Sequence, residues 1–60
     1  MSPGEQVELA HKVAGRAMGQ LVYMIVKRRI SRTTLEWCAQ ELERAAAIIR
    51  TVLTGGGPPE

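Results

Sequence analysis

Four cations, Lys27, Arg28, Arg29 and Arg32, crowd into six residues near the middle of the chain. Basic side chains at this density bind phosphate or carboxylate groups, and on a nucleic acid they neutralise backbone charge. The cluster also has a plainer use. Cations at the C-terminal end of a helix satisfy its last carbonyls and oppose its macrodipole. The other reactive side chains are sparse. His11 and Cys38 are the single imidazole and the single thiol, and all six acidic residues are Glu. One His and one Cys do not make a zinc ligand set, so no metal is expected. No pair of carboxylates is spaced for acid–base work, and a hairpin of this size offers no concave site of its own. The expectation is therefore a protein without catalytic residues or cofactor.

The side chains better suited to binding are apolar. Leu35, Cys38, Leu42, Ala45, Ile49 and Val52 recur at alternating steps of three and four, which aligns them along one side of a helix. Trp37 and Ile48 are eleven residues apart, three turns, and share an angle outside that stripe, with Glu41 and Arg44 between them. A Trp flanked by an aliphatic and by charges is a common composition for a binding anchor. Its plainer role is as part of a core completed by a second hairpin. In either role Trp37 is expected at an interface, and Ile48, Leu42 and Ile49 are expected with it. Leu21, Met24 and Ile25 join them from the stretch Leu21–Val26, which is apolar nearly all round and points to more than one neighbour.

These residues need two helices to position them. Ser2-Pro3-Gly4-Glu5 reads as a capping box with Pro at the first helical position. From about residue 5 to 29, Val7, Ala10, Ala14, Met18, Leu21 and Ile25 share a face. Gly15 and Gly19 interrupt this helix one turn apart, each costing about 1 kcal/mol relative to Ala. They tolerate a bend, or they let a second backbone approach. The break falls at Arg29–Arg32. Thr33 with Glu36 forms a second capping box, and Ser31 competes as the cap, before a helix over about 33–53. Residues 55–60 hold Gly and Pro with no apolar anchor, and a disordered tail is expected there.

Ile30-Ser31-Arg32-Thr33-Thr34-Leu35 resembles the turn and recognition-helix start of helix-turn-helix activators of the Fis type. Arg29 stands where such turns usually carry glycine, and the helix continues through Leu42, Ile49 and Val52 as a packing helix. The resemblance implies DNA binding as the alternative to protein binding, without base-contacting roles for particular residues.

Composition narrows the class further. The chain has 60 residues, a net charge of +2, one Trp, one Tyr and no Phe. Its core must come from aliphatic, Met and Ala side chains. A chain this short usually needs a disulfide, a metal or a partner to be stable, and the first two are absent from the sequence. The longest apolar run falls far short of the roughly 20 residues that span a bilayer. No basic, apolar leader opens the sequence, and one Cys suits a reducing compartment, so a cytoplasmic protein away from membranes is expected.

The fold expected is all-α: an antiparallel two-helix hairpin over 1–54, dimerising into a four-helix bundle. The function expected is a small non-catalytic interaction module (a regulator, inhibitor or adaptor) that binds itself and a second protein. The alternative is a DNA- or RNA-binding regulator that uses Lys27, Arg28, Arg29 and Arg32.

Overall fold

The structure, a computed structural model, describes residues 2–56. It contains two α-helices, α1 (Pro3–Lys27) and α2 (Arg32–Thr51), followed by a wide π-helical turn over Val52–Gly56. No strand occurs among the described residues. Part of the tail expected over 55–60, residues 57–60, lies outside them.

The start of α1 follows the sequence. The Glu5 amide donates to Ser2 Oγ at 3.2 Å, and the Ser2 amide donates to Glu5 Oε1 at 3.1 Å. This closed capping box satisfies two amides that a helix start would leave unpaired. The end of α1 comes two residues earlier than the hydrophobic pattern suggests. Arg28 adopts a left-handed conformation, φ 55° and ψ 38°. The Arg28 amide donates to the Ile25 carbonyl at 3.3 Å, and the Arg29 amide to the Met24 carbonyl at 3.1 Å. These are the two bonds of a Schellman motif, with Arg at the position usually held by Gly.

The start of α2 corrects the expectation at Thr33. Ser31 is the cap, and its hydroxyl accepts from the Thr34 amide at 3.2 Å. The early left-handed turn brings Ser31 to an extended backbone just ahead of the helix, so Thr33 falls inside the first turn. Glu36 is then free of capping and pairs with Arg32 one turn back at 3.5 Å.

The helices run antiparallel. The Cys38 thiol donates to the Ala17 carbonyl oxygen at 3.5 Å, and Ala10 and Val13 pack against Ala45 at the open end. A thiol reaches the opposite backbone only because small residues line the seam. Ala10, Ala17, Cys38 and Ala45 are buried there, with Val13 and Met24 as its larger members. Leu9, Ala14 and Ile48 pack on the open end of this seam. Glu41 is its charged member in α2: its side chain is 16% exposed and meets Arg44 at 3.7 Å.

Ser31→Ala should lower stability by about 1 kcal/mol in urea unfolding, whereas Thr33→Ala should cost no more than a few tenths. Arg28→Gly should raise stability by about 1 kcal/mol, since glycine adopts the left-handed conformation without a Cβ clash.

Candidate interaction face

Several residues that close the hairpin are followed by a more exposed apolar residue. In α1 the seam residues Val13, Ala17 and Met24 precede Ala14, Met18 and Ile25. In α2 the half-buried or buried Thr34, Glu41, Ala45 and Ile48 precede Leu35, Leu42, Ala46 and Ile49. One residue further along is a rotation of 100°. In an antiparallel pair of right-handed helices that rotation carries both sets to the same side. Val7, Met18, Ile25, Leu35, Leu42 and Ile49 are thus exposed together on one side of the hairpin.

The helices have rotated relative to the stripes read from the sequence. Of the twelve residues on those stripes, Ala10, Cys38 and Ala45 are buried in the seam, while Val7, Met18, Ile25, Leu35, Leu42 and Ile49 face outward. Val13 and Ala17, both 0% exposed, close the hairpin although neither lies on the stripe read for α1. Their signal is present in the sequence as adjacent apolar doublets, Val13-Ala14, Ala17-Met18 and Met24-Ile25. Such doublets give a helix two neighbouring apolar arcs, and a single-face pattern records only one.

The proposed contact residues separate by position. Ile25, Leu42 and Ile49 lie on the open face. Leu21 is half-buried at its turn end, and Met24, 7% exposed, forms the floor between the helices. With Arg28, Ile30 and Leu35 they line a groove of about 580 Å³. Ile48 packs into the hairpin core. Trp37 is 37% exposed. It precedes the seam residue Cys38 and so points to the side opposite the open face. The structure does not bring Trp37 together with Leu42 and Ile49.

The basic turn is exposed throughout, and part of its charge is already engaged. Arg32 pairs with Glu36, and Lys27 Nζ lies 6.0 Å from the Tyr23 ring centroid. Neither Arg28 nor Arg29 forms a salt bridge among the described residues. His11 is exposed on α1, beside Lys12 and Arg16. No group of three or more His, Cys, Asp or Glu side chains among the described residues is arranged to hold a metal. No helix among them is long and apolar enough to cross a membrane. A Cβ added at Gly15 or Gly19 would meet nothing within 4 Å. The hairpin itself therefore does not require glycine at either position.

In comparisons with protein-family models, curated proteins and solved structures, none matches this chain. The reading of function rests on the geometry alone.

Gly15→Ala and Gly19→Ala should each raise stability by about 0.5–1 kcal/mol, measured as a higher thermal midpoint, because α1 gains a better helix former in open space.

Proposed function

We propose that this chain is a small non-catalytic interaction module. Two copies associate through the open face into a four-helix bundle, and the bundle presents its outer surfaces to a second protein. The supporting observation is the pair of aligned apolar rows, Val7, Met18 and Ile25 on α1 with Leu35, Leu42 and Ile49 on α2, left uncovered on one side of the hairpin. Contiguous apolar surface of this kind marks an interaction site. The side bearing Trp37 remains outside the dimer contact. It offers a partly exposed indole, a side chain enriched at binding hot spots. Regulators, inhibitors and adaptors of this size work by offering a preformed helix surface to a groove or to another helix.

Met18→Asp and Leu42→Asp test the first contact. Each places a charge at the centre of the face and should weaken association at least 100-fold, about 3 kcal/mol. Sedimentation equilibrium should show the chain mass for these variants and twice that mass for Trp37→Ala. Unchanged dimer mass in both Asp variants would refute the open face as the contact. A mobility-shift assay with mixed DNA and RNA at two ionic strengths separates the nucleic-acid alternative. No shift is expected at low salt, whereas a shift that disappears steeply with salt would assign the basic turn to phosphate binding.

A further inference from the structure

The two ends of the open face are not alike. At the turn end the face is hollow, with the groove of Leu21, Met24, Ile25, Ile30 and Leu35 and with Arg28 on its rim. Ile25 and Ile30 form its walls, 74% and 81% exposed, and at the opposite end Val7 and Ile49 are 54% and 48% exposed. Ala10 packs with Ala45, and Ala17 meets Cys38, so the level of Val7 along the hairpin is also that of Ile49. One end thus carries a groove walled by two exposed isoleucines, and the other two apolar side chains of a size to enter it.

We propose that a second copy of this chain covers the face head to tail, with α1 on α1 and α2 on α2, so that the groove at each turn receives Val7 and Ile49 of the other copy. This arrangement rests on the association through the open face proposed above and specifies its geometry. Two observations select it over the parallel alternative with both turns at one end, and a third, area, supports the association itself.

The first is charge. A parallel pair would bring Lys27, Arg28, Arg29 and Arg32 of both copies to the same end, with Glu36 as the nearby acid of each. The head-to-tail pair places each basic turn level with the first turns of the other α1, which carry Glu5 and Glu8. The second is side-chain fit. A two-fold axis passing near Arg16 of α1 and Ala39 of α2 sets Val7 against Ile25, Ala14 against Met18 and Leu35 against Leu42 of the opposite copy. Along α1 alanine meets methionine and valine meets isoleucine, and along α2 leucine meets leucine. A parallel pair would stack groove on groove, and Val7 and Ile49 on their own copies.

The third is area. The chain exposes 4819 Å². A folded monomer of 6.6 kDa is expected to expose roughly 3,900 Å². The extents, 48 × 16 × 14 Å, are those of a rod, which exposes more surface than a compact monomer of the same mass. The excess, roughly 900 Å², is comparable to the ~800 Å² that each partner contributes to a standard-size interface.

The test is a distance measurement between copies. A spin label is placed at Arg29→Cys in a Cys38→Ala background, and dipolar spectroscopy reads the separation at a concentration where the mass is dimeric. Head-to-tail association predicts about 40 Å, from thirteen residues of helical rise on each side of the axis. A separation under roughly 25 Å would overturn this arrangement while leaving the association intact. No dipolar coupling together with a monomer mass would overturn both. A second variant covers poor behaviour of the labelled chain: Val7→Cys with Ile25→Cys, again with Cys38→Ala. These two positions are about 27 Å apart along one helix, beyond the reach of a disulfide within one chain. Mild oxidation should therefore give a covalent dimer. A dimer in solution that yields no covalent product would contradict the register.

Discussion

A helix that packs against one neighbour covers only part of its circumference, and both helices of this chain carry more apolar surface than one neighbour can cover. The constraint begins in adjacent doublets. In Ala17-Met18, Met24-Ile25 and Ile48-Ile49 the first residue serves the seam and the second is carried 100° away. Because the helices are antiparallel, the second members of both helices gather on the same side. The open face is thus a geometric consequence of doublet spacing and chain direction.

The seam explains why the hairpin alone is a thin structure. It is built from Ala10, Ala17, Cys38 and Ala45, with Val13 and Met24 as its larger members. Small residues let the helices approach until a thiol touches the opposite backbone, but they remove little apolar area from water. Stabilisation by burial scales with that area, at about 25 cal/mol per Å². Met18 and Ile25 keep more than half of their surface exposed, and Leu35, Leu42 and Ile49 keep between a third and a half, so a large share of their apolar area is left for something else to cover. Under the association proposed above, this division of residues ties stability to the dimer contact, which is the usual resource of short helical chains without disulfides or metals.

Much of this was legible in the residues. Ser2, Pro3 and Glu5 mark the start of α1 by chemistry that needs no tertiary context, and the structure closes that box. The two helices and their hairpin follow from apolar periodicity broken at Arg29–Arg32. Three features were not legible, each for a physical reason. Arg28 takes a left-handed conformation that residue type does not announce, because Arg pays a steric cost there that Gly does not. That turn decides between Ser31 and Thr33 as the cap, a choice equal on local grounds. The seam of α1 runs through Val13 and Ala17 instead of the Ala14 and Met18 arc, because two apolar arcs of similar strength lie side by side and only the partner helix selects between them. Trp37 lies off the stripe of α2 by helix geometry, but the side of the hairpin to which that angle points depends on how α2 is rotated against α1.

The central claim is that the open face is covered when the chain is folded. The most direct test is the thermal unfolding midpoint of the unmodified chain over a hundredfold range of concentration, with its mass measured across the same range. Association through the face predicts a midpoint that rises with concentration and a mass of twice 6.6 kDa at the upper end. A midpoint independent of concentration, with a folded chain of 6.6 kDa throughout, would contradict the account.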